Sequence, residues 1–364
     1  MDALTAVPFK VIVPAGADRI PWLEARRAGI GSSDPADILG VGGASAQHVY
    51  YDKIGALPLE DDNAGEAAFW GTRDEATTAD VWAERNRSVV RRIGLIARKD
   101  TPWQMCTLDR QVRECPLRKD GAREICALEV KHRNAFVAGK WKRSIPDDVL
   151  AQVLWQIHVT GYSHIHVACR IGGIDYRQYV IWRKDHAELL EDVVTAVTRF
   201  WVGNVLARRV PALTGQENAE RMLDLFEQLH PDRDGIAALD GPQAVQAEEL
   251  LREYEFQRLI VKRAKQAQDA AKTRLIELLD DTEGAVLWAR HTRAWGWDST
   301  TKDGEPLVKT SIDMNALAEQ YPDAYAACVR MKPVRRFAVG REHRLNEADL
   351  DRYEKGDGAD AVSA

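Results

Sequence analysis

Two acidic residues and a lysine in the first half of the chain have the types and spacing of a phosphodiester-hydrolysing site. Asp109 follows Leu108, and Glu129 and Lys131 flank Val130 twenty residues later. Carboxylate oxygens are the ligands that Mg²⁺ prefers, and a bound Mg²⁺ polarises a phosphoryl oxygen and lowers the pKa of water. A lysine beside them orients that water or offsets transition-state charge. The residue types therefore pose the question of whether this chain cuts nucleic acid.

The elements that must position these residues are two predicted strands, over residues 104–113 and 123–132. Asp120-Gly121 between them is a turn signal, so the pair reads as a hairpin. A hairpin centred near residue 119 places Asp109 opposite Glu129. Because strand side chains alternate between faces, Lys131 joins them on one solvent-facing side. The other side, predicted as core, carries Cys126, Leu128 and Val130.

Short motifs are weak on their own, and an exposed hairpin with an ordinary ion pair is the competing interpretation. Four segments in order favour the catalytic one, because together they resemble the YqaJ-like viral recombinase family, the phage lambda-type exonucleases of the PD-(D/E)xK nuclease superfamily. The four segments are residues 22–34, the Trp-Gly-x-x-x-Glu stretch 70–75, Asp109 with residues 129–131, and the glutamine segment 152–161.

The resemblance implies a fold and a metal site. The fold is α/β, a restriction-endonuclease-like core with a mixed central sheet flanked by helices, followed by a C-terminal helical extension with a small β element. Asp109 and Glu129 would bind Mg²⁺, with Mn²⁺ as a substitute, helped by the Val130 backbone carbonyl. Glu75 would be a further acidic group on the metal side, and Lys131 would position the attacking water.

The resemblance also assigns a lining residue and a terminal-phosphate site. Gln152 would line the metal site from a helix, while Arg26 and Ser33, with Ser32 beside them, would hold a 5′ phosphate. The physical interpretation of residues 29–37 is a small loop before a helix capped by Asp34, a place where backbone N–H groups approach an anion. A plain capped helix is the alternative.

Two departures from the family pattern concern the site. Leu108 stands where the superfamily has its proline, and Leu154 stands where the family has a second glutamine. Gln156 lies one turn after Gln152 and on the same helix face. Which of the two glutamines reaches the site stays open from the sequence.

The charge distribution agrees with a nucleic-acid substrate, although the net charge of the chain is −6. Residues 85–143 contain 16 Lys and Arg against 6 Asp and Glu, a local excess of ten positive charges. A basic segment around a candidate site is the expected footprint of phosphate binding. Trp141, between Lys140 and Lys142, is either a base-stacking residue or an anchor for a loop.

Cysteines and histidines give no further motif. The five cysteines form no Cys-x-x-Cys pair, so the spacing does not favour a zinc site, and unpaired cysteines suit a reducing cytosol. His164 and His166 share one face of a predicted strand, where a surface or core role is the commoner one. No signal peptide or long apolar run is present, which predicts no membrane insertion.

The chain is predicted to have an exonuclease domain over 1–210, a long-helix and small-sheet extension over 211–355, and a disordered tail over 356–364. Residues 1–19 are expected to be an irregular lead-in. In the extension, a helix is predicted over 243–280, and a tryptophan-rich strand and turn over 285–297 that could pair with 334–339. Those tryptophans are either a DNA platform or the core of a small sheet.

The resulting expectation is a 5′→3′ exonuclease on double-stranded DNA ends that leaves 3′ overhangs for recombination. The resemblance implies a homo-oligomer, of which a trimeric ring is one form, a single-strand annealing partner, and a phage or prophage protein in the bacterial cytoplasm. An endonuclease or opposite-polarity nuclease, and a catalytically weak DNA-binding assembly protein, are the alternatives.

Overall fold

The protein was analysed as a computed structural model, which describes residues 8–59, 65–117, 125–232, 236–280, 282, 284–287, 292–296, 313–329, 343–346 and 349. The chain divides into two compact units, residues 1–234 and 235–364. The first unit thus extends beyond the predicted boundary at residue 210. It gains α7, whose Met222 and Leu225 are buried.

The strands and helices alternate along the first unit, as expected of a layered α/β fold. Its strands are β1 Phe9–Val13, β2 Val90–Arg91, β3 Leu95–Arg98, β4 Met105–Thr107, β5 Arg110–Val112, β6 Cys126–Arg133, β7 His164–Ile171 and β8 Asp175–Trp182. Its α-helices are α1 Arg19–Arg27, α2 Asp34–Ile38, α3 Ala46–Lys53, α4 Gly65–Arg85, α5 Asp147–Thr160, α6 Ala187–Phe200 and α7 Ala219–Leu229.

A mixed five-stranded sheet in the order β2-β5-β6-β7-β8 is the centre of this unit. β5 and β6 are antiparallel, with Arg110 opposite Leu128 and Val112 opposite Cys126. Both pairs are centred on residue 119, so the predicted register is confirmed. β7 then runs parallel to β6, which requires the crossover connection that α5 supplies.

The single strand predicted over residues 104–113 is wrong, because it is two strands in two sheets. β4 belongs to a three-stranded sheet with β1 and β3, and β5 belongs to the five-stranded sheet. Leu108 and Asp109 form the step between them, and the Leu108 side chain is buried in the core. β1 also corrects the expected irregular lead-in, since Phe9–Val13 pairs with β3.

The two faces of the five-stranded sheet pack against different helices. One face packs with α5 and α6 around Val153, Ile157 and Val167. The other packs with α4 through Ala79 and Trp82. Because α5 and α4 cover opposite faces, the sheet is flanked by helices, and the predicted mixed α/β fold class is confirmed.

The second unit begins with α8 Gly241–Glu277, which matches the helix predicted over 243–280. β9 Gly284–Leu287 and β10 Thr292–Gly296 pair antiparallel and form a small hairpin, followed by α9 Met314–Gln320 and α10 Pro322–Cys328. The predicted strand over 334–339 and tail over 356–364 lie outside the described residues. Within those residues, no helix has the length and apolar character to cross a membrane.

A candidate metal centre at the step between two sheets

Glu129 is the centre of a buried polar network on the α5 face of β6, and its side chain is only 2% exposed. The Lys131 Nζ donates to Glu129 Oε1 at 2.5 Å, and Gln152 Nε2 donates to the same oxygen at 2.6 Å. Gln156 Nε2 donates to Glu129 Oε2 at 2.7 Å. The carboxylate therefore has a cation and two amides around it, which is what keeps a buried charge tolerable.

The two glutamines reach Glu129 because they lie one turn apart on α5, where residues four positions apart share a face. Leu154 lies between them in sequence, points away from the carboxylate and is fully buried in the core. The question left open by the sequence is thus answered in geometric terms: both glutamines contact Glu129. The Gln152 Oε1 also accepts a hydrogen bond from Lys131 Nζ at 2.9 Å.

Asp109 approaches this network from the step between β4 and β5. Its Oδ2 accepts a hydrogen bond from the Val130 backbone N–H at 2.7 Å. The carboxylate thus takes the place of a backbone carbonyl on the β5 side of β6. The N–H and C=O of one strand residue point toward the same neighbour. The Val130 carbonyl therefore faces the same edge, beside the Asp109 carboxylate.

The predicted solvent-facing side of the hairpin is wrong, because α5 covers it. Glu129 is buried at 2% side-chain exposure, Asp109 is half-buried, and the Lys131 side chain is 15% exposed. Burial, together with the negative charge of Glu129, raises the pKa of Asp109 well above its usual range. Burial opposes the charge of Lys131, but the Glu129 and Asp109 carboxylates outweigh it and raise the Lys131 pKa. The pocket thus favours positive charge.

Glu75 lies on α4, the helix of the opposite sheet face, and is turned toward an arginine. Arg110 Nη1 contacts Glu75 Oε1 at 2.5 Å and donates to the Asp109 backbone carbonyl at 2.6 Å. Arg92 Nη2 is 3.9 Å from the same Glu75 oxygen. Glu75 is therefore connected to Asp109 through Arg110, which contacts both residues.

Arg110 was not predicted as a site residue, although the predicted strand over residues 104–113 includes it. It is opposite Leu128 in the register, so alternation places it on the α4 face, away from the Glu129 side chain. That face is where α4 brings Glu75. The Arg110 side chain is 7% exposed, so its charge is buried and paired rather than part of a solvated basic surface.

Arg26 and Ser33 lie together near the start of α2. Arg26 Nη2 donates to Ser33 Oγ at 2.6 Å and to Asp34 Oδ1 at 3.0 Å, and Ser33 is exposed. Asp34 is not the helix cap that the sequence predicted, because the cap position is Ser33. Its Oδ2 instead accepts from the Gly31 backbone N–H at 2.8 Å.

The Asp34 carboxylate forms an ion pair with a buried lysine. Lys53 Nζ, on a side chain 1% exposed, is 2.8 Å from Asp34 Oδ2. Burial raises the pKa of Asp34, but the Lys53 and Arg26 charges outweigh burial and hold it below its usual range. Asp34 is therefore an ionised and neutralised partner of Lys53, which removes the repulsion that an unpaired aspartate would exert on a phosphate.

Ser32 connects this region to the metal centre through backbone contacts. The Ser32 Oγ donates to the Thr107 carbonyl and accepts from the Thr107 N–H, both at 3.0 Å. Gln156 Nε2 lies 3.2 Å from the same Thr107 carbonyl and also bonds Glu129. Gly29 lets the segment before α2 lie against Trp103, because a Cβ at residue 29 would be 2.2 Å from the Trp103 carbonyl oxygen.

The basic segment is exposed beyond β6. Trp141 is buried at 1% exposure, which confirms the loop-anchor interpretation, while Lys140, Lys142 and Arg143 around it are exposed. Phe136, in the same 3₁₀ segment Ala135–Trp141, is 97% exposed. A surface with free basic side chains thus follows directly after the strand that carries Glu129 and Lys131.

Comparison with known proteins finds a matching family model and a similar bacterial protein. Residues 21–163 match the family model of the YqaJ-like viral recombinase domain. The protein named "Uncharacterized protein YqaJ" from Bacillus subtilis (strain 168) is 28% identical over 327 residues, which cover 88% of this chain and 94% of that protein.

Two crystal structures are similar to part of this chain. An alkaline exonuclease (LHK-Exo) from Laribacter hongkongensis is 18% identical with a TM-score of 0.42, and the alignment covers 52% of this chain and 93% of that one. LHK-Exo in complex with dAMP is 19% identical with the same TM-score of 0.42 and the same coverage.

The family match begins in α1 and ends just before β7, so it contains all the predicted site residues from Arg26 to Gln152. It confirms the resemblance that the sequence motifs indicated. Residues 21–163 of this chain are therefore similar to the YqaJ-like viral recombinase domain.

Proposed function

We propose that this chain is a metal-dependent nuclease that degrades double-stranded DNA from its ends in the 5′→3′ direction, leaving 3′ single-stranded overhangs for recombination. One observation carries the proposal. The half-buried Asp109 carboxylate and the buried Glu129 carboxylate lie at one strand edge with the Lys131 ammonium beside them. Enclosed carboxylates at one site repel each other, and a bound cation is the usual way in which proteins relieve this.

The donor set fits a hard divalent cation such as Mg²⁺, with Mn²⁺ as a substitute. Asp109, Glu129 and the Val130 carbonyl would hold it, all through oxygen atoms. Gln156 Oε1 is buried and has no hydrogen-bond partner among the described residues, so it offers an acceptor for water of a hydrated ion. When bound, the cation would polarise a phosphoryl oxygen and lower the pKa of water.

Lys131 would act as a cation and hydrogen-bond donor rather than as a base. Its pKa is raised by the adjacent carboxylates, so the ammonium form persists. In that form it can donate to the attacking water or to a phosphoryl oxygen and offset developing negative charge. Gln152 fixes the Lys131 Nζ by accepting from it while donating to Glu129.

Arg26 and Ser33, with Ser32 behind them, would select a 5′-phosphorylated end. The guanidinium is partly exposed, and an arginine fork matches phosphate oxygens. The Ser32 contact with Thr107, two residues before Asp109, and the Gln156 contact with the same carbonyl connect this site to the metal centre. A phosphate held by Arg26 would therefore be held by the same framework that positions the carboxylates.

The partners in this proposal follow from the family resemblance. They are double-stranded DNA ends, a single-strand annealing protein and further copies of the chain, of which a trimeric ring is one arrangement. The location is the cytoplasm of a bacterial host of a phage or prophage. The exposed basic residues Lys140, Lys142 and Arg143 support a nucleic-acid partner.

An endonuclease on the same fold is the second candidate, since the carboxylates alone do not distinguish it. The partly exposed Arg26 and exposed Ser33 favour end selection. A catalytically weak DNA-binding protein was suggested only by Leu154, and the contacts of both Gln152 and Gln156 with Glu129 favour the nuclease instead.

The test is digestion of a linear duplex labelled separately at each end, beside a closed circle, with and without Mg²⁺. We expect Mg²⁺-dependent release from 5′-phosphorylated ends, survival of the circle, and loss of activity in Glu129→Ala. The matched control Glu191→Gln, at an exposed position on α6, should digest like the wild type.

Further outcomes separate the candidates. Arg26→Ala should reduce the preference for a 5′ phosphate over a 5′ hydroxyl more than it reduces cleavage of the preferred end. Cutting of the circle would identify an endonuclease, release from 3′ ends would reverse the polarity, and binding of DNA without cleavage in Mg²⁺ or Mn²⁺ would contradict the nuclease proposal.

A further inference from the structure

Two cysteines and two histidines converge on the face of the sheet opposite the Glu129 network. The ligand atoms of Cys115, Cys126, His164 and His166 all lie within 4.8 Å of one another, and all four residues are buried. Cys115 Sγ is 3.2 Å from His164 Nε2 and 3.5 Å from His166 Nε2. Sulfur and imidazole nitrogen at these separations are close to the edges of a tetrahedron around one ion with bonds of about 2.0–2.3 Å.

The strands place these residues by their register. Cys126 begins β6, and His164 begins the parallel neighbour β7, where His166 is opposite Leu128. Cys115 follows β5 by three residues. The four side chains therefore come from three adjacent strands at one end of the sheet.

The surroundings of the cluster are those of metal ligands. The Leu117 backbone N–H points at Cys115 Sγ at 3.4 Å, a contact that stabilises a thiolate sulfur. Ser163 Oγ is 2.8 Å from His164 Nδ1, which occupies the far ring nitrogen and leaves Nε2 directed at the cluster. A hydrogen bond to the second nitrogen is how metal-binding imidazoles are commonly oriented.

We propose a structural Zn²⁺ site formed by Cys115, Cys126, His164 and His166. The ion would hold both ends of the β5–β6 connection against the start of β7. Two sulfurs and two nitrogens in one compact set are a donor combination that Zn²⁺ accepts, whereas Mg²⁺ requires oxygen. With four protein ligands no position is open for water or substrate, so the ion would be structural and not catalytic.

The site would support the candidate metal centre from a distance. Cys126 is three residues before Glu129, about 10 Å along β6, and its side chain points to the other face. An ion at the cluster would hold the ends of the segment between β5, which directly follows Asp109, and β6, which carries Glu129.

This proposal differs from the expectation from the sequence. There, the lack of a Cys-x-x-Cys pair argued against a zinc site. That argument looks for ligands close together in the chain. Here Cys115 and Cys126 are separated by ten residues and the histidines lie 38 and 40 residues beyond Cys126. Strand pairing, rather than sequence spacing, brings them together.

The first experiment measures metal in the full-length protein, purified without a metal-affinity step and dialysed against a mild chelator that strips Mg²⁺. We expect one equivalent of zinc per chain by elemental analysis. Replacement by Co²⁺ should give the intense visible ligand-field bands of tetrahedral cobalt together with sulfur-to-cobalt charge transfer. Removal of zinc by a strong chelator should lower the melting temperature by about 5 °C or more, and added Zn²⁺ should restore it.

Variants identify the ligands and separate this site from the catalytic one. Cys115→Ser and His166→Gln should each lose the bound zinc and the cobalt spectrum, while Cys328→Ser, at an exposed cysteine, should keep both. Glu129→Gln should also keep both, because it alters only the other face of β6. The zinc content of the wild-type protein is measured first, so the proposal is tested even if one of these variants folds poorly.

Three results would overturn the proposal. They are wild-type protein with neither bound zinc nor a tetrahedral Co²⁺ spectrum, a melting temperature that is indifferent to Zn²⁺ and chelator, and a Cys115–Cys126 disulfide in freshly purified protein. Acid-labile sulfide with iron would replace zinc by a cluster and would equally contradict it.

Discussion

The two faces of β6 use the same strand for opposite purposes. On the α5 face, the buried Glu129 accepts hydrogen bonds from Lys131, Gln152 and Gln156, and Gln156 Oε1 has no partner among the described residues. On the α4 face, Cys126, Leu128 and Val130 pack in an apolar cluster with Trp82. Burial alone therefore does not identify the core of this protein. At the centre of β6 the faces differ in whether the buried side chain has polar partners, as Glu129 does, or apolar ones, as Leu128 does.

The comparison teaches how a buried charge is retained. Glu129 is tolerated because three donors contact it, whereas Asp109 receives the Val130 N–H and has a raised pKa because of burial and the Glu129 charge. The α5 face is thus electrostatically incomplete without a cation, and the apolar positions of the α4 face are complete as packed. Substitutions on the two faces should accordingly separate activity from stability.

The largest expected effect is that of Glu129→Gln. The substitution keeps the size of the side chain and removes one buried negative charge, so nuclease activity in Mg²⁺ should fall by about 10³-fold or more, by analogy with loss of a main electrostatic group in a site. The measurement is the initial rate of nucleotide release from a linear duplex. Glu191→Gln is the control, and a Glu129→Gln rate within a few fold of wild type would show that this face has no catalytic role.

Lys131→Met should lower the same rate by about 10²–10³-fold, because the aliphatic chain is kept and the donor is lost. DNA binding, measured without divalent ions, should change little, since Lys131 is enclosed rather than part of the exposed basic surface. Lys142→Met, at an exposed position, is the matched control and should show the reverse pattern. Equal effects of the two variants on binding and rate would argue against a special position for Lys131.

Leu128→Ala tests the opposite face. Leu128 is fully buried, and a Leu→Ala change in a core costs about 3 kcal/mol of unfolding free energy. The initial rate at a temperature where the variant stays folded should remain within about twofold, because the side chain points away from Glu129. Urea unfolding gives the first quantity and the duplex assay the second. A large loss of rate in a fully folded Leu128→Ala protein would mean that the faces are not separable.

The smallest effects should come from the two glutamines, compared with each other. Gln152→Ala should slow cleavage by about 10-fold because it releases Lys131 as well as Glu129. Gln156→Ala should instead act on stability, by about 1–2 kcal/mol, since a fully buried amide that contacts Glu129 and Thr107 is lost. Parallel kinetic and thermal measurements would distinguish these outcomes, and identical profiles would remove the distinction between the two residues.

Much of this arrangement could be predicted from the sequence, because local rules determine it. The hairpin register follows from alternation and a turn signal, and α4, α5, β7 and β8 follow from periodicity and from glycines at their ends. Gly161, for example, closes α5 in the left-handed conformation with φ 73°. The grouping of Asp109, Glu129 and Lys131 follows from these elements, whereas Gln152 was added to the group by the family resemblance.

The remainder depends on contacts between distant segments. The sequence does not reveal that α5 covers the face carrying Glu129, so a buried network was predicted as an exposed one. It also does not reveal that β4 and β5 belong to different sheets, that Arg110 holds Glu75, or that Lys53 neutralises Asp34. The Cys115 and His164 contact is of the same kind, because no spacing rule connects residues 49 positions apart.

The short step at Leu108 and Asp109, where the chain passes from one sheet to another, determines which changes in chain length the protein can accommodate. An insertion or deletion of one residue at this step would leave β4 and β5 free to pair as before, yet it would rotate the carboxylate away from the Val130 N–H. Insertions in the connection between β5 and β6 would have no such consequence. Among proteins built on this plan, the distance between the Ser32 partner Thr107 and Asp109 should thus be fixed at two residues, while the length of the hairpin connection varies.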